Sequence, residues 1–297
     1  MSVAPVTMKV PASTANLGPG FDSLGLAFNL YLTLHITPAE SWSFEHRSDI
    51  LAGLPNDESH LVYQVAKQTA DIYGATVPPL HIVMESEIPL ARGLGSSAAA
   101  IAAGIELADR YANLQLSKEE KLKIGNRFEG HPDNIGASIF GGMVAGVSFN
   151  GEAEIVHLPA PEMELVVIIP PYELKTEDAR RVLPDSFTRT QAVEASAVAN
   201  VLLAALSVKN YPLAGQMMEK DLFHEPYRTV LIKEFTDARK LAKEAGAYAT
   251  VISGAGPTIL TFAPVGKGEK IVDIFRQAFQ DCDIQQLQIE KNGVQYV

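Results

Sequence analysis

The spacing of hydrophobic and polar positions changes several times along the chain, and each change marks an element. Residues 80–86, Leu-His-Ile-Val-Met-Glu-Ser, form a β-like run. Residues 97–113 carry Ala98, Ile101, Ala102, Ile105 and Ala108 at helical spacing, with Glu106, Asp109 and Arg110 expected to face away. So many alanines predict a helix packed closely on a sheet. Upstream, residues 6–12, 22–28, 31–36 and 42–46 read as strands, and residues 13–20, rich in Gly, Pro and Asn, as a tight turn. Residues 59–73 read as a helix, with Leu61, Val62, Val65 and Ala66 on one face and Gly74 as its C-cap. Ser117 and Glu120 have the spacing of a capping box and open a helix that runs to residue 128; a strand at 142–149 follows.

Leu158-Pro159-Ala160-Pro161 is the expected domain boundary, giving domains 1–160 and 161–297. Beyond it the pattern predicts a buried strand at 164–169 and helices at 176–183, 188–207, 213–221 and 228–244. Strands at 247–252 and 258–262, a helix at 268–279 and a strand at 284–289 complete it. That order is a split βαβ, ferredoxin-like layout with extra helices. No repeat or low-complexity tract is visible.

Composition narrows the class. Hydrophobic residues make up 47 % and charged residues 20 % of 297, as in a soluble globular protein with a substantial core. Lys and Arg number 24 against 35 Asp and Glu, a formal charge of −11. An acidic surface argues against bulk nucleic-acid or anionic-membrane binding, but leaves room for a local basic pocket. The one cysteine, Cys282, excludes an intrachain disulfide and a Cys-x-x-Cys metal site, which suits a reducing compartment. Neither a leader pattern nor an unbroken apolar run of about 18 residues occurs, so a cytoplasmic protein is expected.

The candidate chemistry centres on Glu87-Ile88-Pro89-Leu90-Ala91-Arg92-Gly93-Leu94-Gly95-Ser96-Ser97-Ala98-Ala99-Ala100. Its glycines permit a bend, and two serines sit where a helix N-cap belongs. A helix start offers unpaired N–H groups and the positive end of a dipole, an anion site ready for a polyphosphate. No Lys follows the glycines, which excludes a P-loop, and Pro89-Leu90-Ala91-Arg92 stands between strand and glycines, which suits a dinucleotide fingerprint poorly. A capped helix without a ligand is the plain alternative. Two more glycine-rich loops, residues 16–20 and 253–257, punctuate the chain, and three are hard to explain as hairpin turns alone.

Three segments, in order, resemble the motifs of the galactokinase, homoserine kinase, mevalonate kinase and phosphomevalonate kinase (GHMP) superfamily. They are Lys9-Val10-Pro11-Ala12-Ser13-Thr14-Ala15-Asn16-Leu17-Gly18-Pro19-Gly20-Phe21-Asp22, then Pro89-x-x-x-Gly93-Leu94-Gly95-Ser96-Ser97-Ala98, then Ser253-Gly254-Ala255-Gly256-Pro257-Thr258. The style of the first resembles the homoserine kinase branch in particular. Glu129 with His131, Asp133 and Asn134, then Thr176 and Arg180, then Glu225-Pro226-Tyr227-Arg228 agree with it. The resemblance spans nearly the whole chain. It implies an α+β, two-lobed GHMP kinase fold, with an N-terminal left-handed βαβ domain that binds ATP and a C-terminal ferredoxin-like domain. It also implies ATP-dependent phosphorylation of the L-homoserine hydroxyl to O-phospho-L-homoserine, on the route to threonine.

The resemblance distributes roles. Pro89, Leu90, Ala91, Arg92, Gly93, Leu94, Gly95, Ser96, Ser97, Ala98 and Ala99 would hold the ATP phosphates, and Ser97 with Glu129 a Mg²⁺ ion. An amino-acid carboxylate needs a planar bidentate partner, the work of Arg180 and Arg228. Asn16 and Asp22 can supply oxygens to the ammonium group; Asn16 equally suits a turn. His131 and Asn134 would hold the acceptor hydroxyl, and Thr176 reads as helix cap, ligand or both. Asn134, His131, Asp133 and Arg180 make up the expected catalytic group. Phosphoryl transfer needs alignment and charge neutralisation more than covalent help. Mevalonate-type relatives use an Asp base with a Lys near the N-terminus; Lys9 is present, that Asp has no match, and direct attack by the hydroxyl is expected. Adenine contacts are expected near His60 and Val62. The expected partners are L-homoserine and ATP, without nucleic acid or membrane, and a homodimer is expected because ferredoxin-like lobes often pair. The rival readings are another GHMP small-molecule kinase of the mevalonate type and a non-catalytic regulator with the same fold.

Overall fold

The structure is a computed structural model and describes residues 5–297. Two sheets divide it. The first is built from β1 (Val6–Asn16), β2 (Gly20–Pro38), β3 (Ser43–His46), β4 (Leu80–Ser86), β5 (Met143–Phe149), β6 (Glu152–Leu158) and a two-residue strand near the C-terminus. β2 has 19 residues, long enough to pair β1 along its length, β4 through residues 32–38 and β5 through residues 24–26. β3 and β4 are parallel and joined through α1 (Leu61–Ile72), the βαβ unit of this lobe. The other helices of the lobe are α2 (Ser96–Tyr111), α3 (Lys118–Glu129) and α4 (Asp133–Phe140). Ile101, Ala102 and Ile105 of α2 are buried with Val62 and Val65 of α1 in one core.

The second lobe opens with β7 (Glu164–Ile169), α5 (Thr176–Arg181), α6 (Arg189–Ser207), α7 (Tyr211–Met218), α8 (Glu225–Arg228) and α9 (Phe235–Ala245). β8 (Ala249–Ile252), β9 (Ile259–Ala263), α10 (Gly268–Ala278), β10 (Asp283–Leu287) and β11 (Gln295–Tyr296) complete the chain. Its sheet order is β10-β7-β9-β8, antiparallel throughout, which is the ferredoxin-like arrangement. β7 is buried on both faces. Val166 and Ile168 meet Phe235 of α9 and Phe275 of α10, while Leu165, Val167 and Ile169 join the larger core that includes the first lobe. The expected boundary at residues 158–161 falls between the two sheets, but the chain does not stay on its own side. β11 returns to pair β1, and Ile289 bridges Phe28 of β2.

Several local expectations differ from the structure. Residues 13–16 extend β1 rather than turning, with Ser13 and Thr14 fully buried. The two strands expected across residues 22–36 are one, and the register against β1 shifts where Asn29 and Leu30 stand between the partners of Ala12 and Pro11. Residues 133–140, unassigned in the sequence reading, form α4. Glu106, expected to face away, is buried and paired with Lys121 (2.9 Å), because α3 covers that side of α2. Among the described residues one helix, α6, is long and apolar enough to cross a membrane by composition; it carries Arg189 and Glu194 and buries Ala195, Leu202, Ala205 and Leu206 in the core.

Candidate active site

The loop between β4 and α2 delivers a bare helix end to the interior of the molecule. Ala91, Gly93 and Gly95 hold positive φ angles of 52°, 74° and 72°, which turn the chain sharply. The N-cap is Gly95, and Ser96 and Ser97 are the first helical residues instead of the expected caps. The loop is clamped from both sides. Ser13 N–H donates to the Leu94 carbonyl (3.1 Å), and the Ser253 hydroxyl donates to the Gly93 carbonyl (2.6 Å). The intrahelical bonding of α2 begins with Ala99 N–H to the Gly95 carbonyl (2.9 Å), leaving the Ser96, Ser97 and Ala98 amides open.

This start separates the expected phosphate contacts. Ala91, Arg92, Gly93, Gly95, Ser96, Ser97 and Ala98 line a cavity of about 320 Å³. Leu94 and Ala99 do not: the Leu94 side chain is core, and the Ala99 amide is spent inside the helix. Pro89 is not part of that cavity's lining and has no N–H to offer. The Arg92 guanidinium donates to the carbonyls of Leu90 (3.1 Å), Pro170 (3.1 Å) and Pro171 (2.8 Å), so it fastens the loop to the second lobe. Leu90 lines an adjoining apolar cavity of about 300 Å³, with Leu32, Leu51, Met84, Ile88 and His60, which reaches Ser96 and Ser97. Its apolar walls and its place beside the helix end suit a nucleobase. Val62 is fully buried and stays out of it. His60 caps α1 by accepting Val62 N–H at Nδ1 (3.2 Å), stacks on Phe44 at 4.1 Å, and burial lowers its pKa to about 4.

The larger cavity continues past the helix end into a polar chamber formed by both lobes. Asn16, Asp22, Glu129, His131, Asp133, Asn134, Thr176, Arg180 and Arg228 all line it. Asn16 (φ 76°) bridges two glycine loops, donating to the Gly254 carbonyl (2.9 Å) and accepting Asp22 N–H (3.1 Å). Arg180 forms a bidentate pair with Asp22 (2.7 and 3.1 Å), both about one-third exposed. Arg228 is 2 % exposed. It donates to the carbonyls of Ala179 (3.0 Å) and Gly254 (3.1 Å) and lies 3.3 Å from His224 Nδ1. Burial and the neighbouring Arg180 charge bring its pKa down to about 10. Thr176 begins α5 after the cap residue Lys175, so it is not itself the cap.

On the opposite wall, Asp133 is fully buried and bonds His131 Nδ1 (2.5 Å) and Asn134 N–H (2.8 Å) through Oδ1. Asn134 Nδ2 donates to the Ser13 hydroxyl (3.0 Å), which fixes its oxygen side toward the chamber. Burial alone would depress the His131 imidazolium; the Asp133 bond and the charges of Asp133, Asp22 and Glu129 outweigh it and hold its pKa near 9. Burial raises the Glu129 carboxyl above its usual range, against the opposing pull of the Ser97 hydroxyl and His131.

Two groupings bear on a divalent cation. Asp22, His131 and Asp133 bring one ligand atom each within 4.8 Å of one another. In this structure Asp133 Oδ1 already bonds His131 Nδ1, so that set stands as a hydrogen-bonded charge group. Glu129 and Ser97 offer a carboxylate and a hydroxyl side by side at the phosphate end, the sparse oxygen set that Mg²⁺ accepts alongside water and phosphate.

The sequence reading did not single out Phe21, Lys175 or His224. The Phe21 ring lies beneath both guanidiniums, 5.6 Å from that of Arg180 and 5.3 Å from that of Arg228. Lys175 stands at the cavity rim. His224 donates from Nε2 to the Gly18 carbonyl (2.9 Å), presents Nδ1 to Arg228 and stacks on Phe21 at 5.2 Å. Only its position directly before Glu225-Pro226-Tyr227-Arg228 hinted at a role.

An open helix end beside an apolar pocket, facing a chamber of paired charges, defines a small-molecule phosphotransferase. The GHMP kinases N terminal domain matches residues 60–142 and the GHMP kinases C terminal domain matches residues 202–281, and the chain belongs to the GHMP kinase family. Within that family it is similar to Homoserine kinase of Bacillus pumilus, 49 % identical over 97 % of this chain and 93 % of that protein. Homoserine kinase of Staphylococcus epidermidis is 48 % identical over 97 % of this chain and 95 % of that one. Among solved structures, homoserine kinase from Cytophaga hutchinsonii superposes with a TM-score of 0.89 at 28 % identity, over 100 % of this chain and 99 % of that chain.

Proposed function

We infer that this protein is a homoserine kinase, which transfers the γ-phosphoryl group of ATP to the side-chain hydroxyl of L-homoserine and releases ADP and O-phospho-L-homoserine. The observation that carries the reading is the single cavity shared by the open amides of α2 and the zwitterion-sized set Asp22, Arg180 and Arg228. The base would occupy the apolar pocket, and the phosphates would take the amides of Ser96, Ser97 and Ala98, with the dipole of α2 behind them. Ser97 and Glu129 would hold Mg²⁺, which supplies charge neutralisation on the phosphates when bound. Arg180 and Arg228 would bind the amino-acid carboxylate and Asp22, with Asn16, its ammonium group. His131 and Asn134 would orient the hydroxyl.

Direct attack suits the geometry. Asp133 Oδ1 is already engaged by His131 and the Asn134 amide, and His131 holds its own proton at neutral pH, so it donates. The reaction then rests on alignment and on cations around the transferring group. We place the enzyme in the cytoplasm, where ATP is made and used. We propose a homodimer as well, which light scattering of the purified protein tests directly.

A coupled ADP-release assay tests the function. Turnover with L-homoserine and none with mevalonate is expected. Turnover with mevalonate in its place would make the protein a mevalonate-type kinase, and no turnover with any alcohol would make it a binding protein.

A further inference from the structure

The bidentate pair between Asp22 and Arg180 occupies the groups that the amino acid would use. The end-on fork of Arg180, Nη1 and Nη2, is taken by the two Asp22 oxygens. Arg228, the guanidinium nearest this pair across the Phe21 ring, is tied to two carbonyls and faces His224, so it offers no equal substitute. Resting on the homoserine reading, we propose that the Asp22–Arg180 pair is an exchangeable latch that selects zwitterions. An incoming amino acid splits the pair, giving its carboxylate to Arg180 and its ammonium group to Asp22, so that each released charge finds a new partner. A ligand with only one of the two charges strands the other side of the broken pair. The latch therefore rejects hydroxy acids and amino alcohols of the same length without any steric wall.

The backbone makes the latch testable. Asp22 sits at φ 52°, in the left-handed region, where Asn is at least as comfortable as Asp. The bond that fixes this turn runs from Asp22 N–H to Asn16 Oδ1 and does not involve the carboxylate. Asp22→Asn thus removes the charge and leaves the turn in place. Arg180→Gln is the mirror change, on the side of α5 that faces the chamber.

The experiment measures dissociation constants by ligand-detected NMR for three compounds: L-homoserine, 4-hydroxybutanoate, which lacks the ammonium group, and 3-aminopropan-1-ol, which lacks the carboxylate. The wild type binds homoserine well and both half-ligands poorly. Asp22→Asn binds homoserine more weakly, yet binds 4-hydroxybutanoate about fivefold more tightly than the wild type does, because Arg180 no longer has to be pulled from a partner; that factor is what a partly exposed bidentate pair is worth. Arg180→Gln gains similarly for 3-aminopropan-1-ol. Loss of affinity for every ligand in both variants, in a wild type that binds homoserine, would make the two residues simple contacts and overturn the latch. A wild type that binds no homoserine would overturn the substrate assignment beneath it, a separate and earlier result in the same titration.

Discussion

Gly93→Ala is the substitution that best tests whether the two lobes are locked at the phosphate loop. A Cβ at residue 93 would stand 2.2 Å from the Ser253 carbonyl oxygen and 2.9 Å from both the nitrogen and the oxygen of Gly256. All three are backbone atoms of the facing loop, so no rotamer change relieves the clash. Moving the loops apart stretches the Ser253 hydroxyl bond to the Gly93 carbonyl (2.6 Å) and the Thr258 N–H bond to the Arg92 carbonyl (3.3 Å). Alanine at φ +74° costs about 1 kcal/mol. Overpacking adds about 1–3 kcal/mol and a weakened buried hydrogen bond about 1 kcal/mol. The expected loss is therefore about 3–5 kcal/mol. Gly246→Ala is the control: φ is +94° at the end of α9, but nothing lies within 4 Å, so only the backbone cost of about 1 kcal/mol applies. Urea unfolding of both variants should show Gly93→Ala less stable than Gly246→Ala by at least about 2 kcal/mol. Because the loop also carries the open amides, the KM for ATP should rise about tenfold or more, the kinetic equivalent of about 1.4 kcal/mol. Equal stability of the two variants, or a destabilised Gly93→Ala with an unchanged KM for ATP, would refute the reasoning.

Two other outcomes are expected. Glu129→Gln keeps the side-chain shape while removing the charge beside Ser97, so kcat should fall about a hundredfold and the Mg²⁺ concentration for half-maximal rate should rise; an unchanged magnesium titration would remove Glu129 from the metal site. His60, whose pKa is held near 4 against 6.5 in solution, contributes stability that is complete above pH 6.5 and is lost as the pH falls toward 4. His60→Asn retains a capping side chain for α1, so urea unfolding from pH 7 to 4.5 should show the wild type losing stability relative to the variant by up to about 1.4 kcal/mol per pH unit, and parallel curves would contradict the burial effect.

The sequence announced the scaffold more fully than the contacts. β4 lies where its pattern places it, Ser117 and Glu120 form their capping box, and the second sheet has the order its pattern implied. These features depend on local periodicity and spacing, which a single chain displays directly. α4 was obscured because it is only eight residues long and buried on most sides, with Ile135, Gly136, Ala137, Ser138 and Ile139 all buried, so no polar face gives it a period. Pro132 followed by Asp133 at its start was the available signal. Glu106 misled because a partner more than a dozen residues away, Lys121, makes its burial tolerable, and helical spacing says nothing about such partners. The gathering of Asn16, Asp22, Glu129, His131, Asp133, Asn134, Thr176, Arg180 and Arg228 at one cavity was legible in their motifs. Their mutual engagement was not: that Asp22 already holds Arg180, or that His224 stands behind Arg228, depends on contacts between residues far apart in sequence.

The return of β11 to the first sheet governs the order in which the protein can be finished during synthesis. Tyr296 bonds Glu106 on the flank of α2 (3.1 Å), and residues 295 and 296 pair with residues 8 and 9. The ribosome must therefore deliver the entire second lobe before the lobe it made first can close its edge. Until then an early-made sheet waits with an unpaired strand, exposed to whatever else in the cell can add to it.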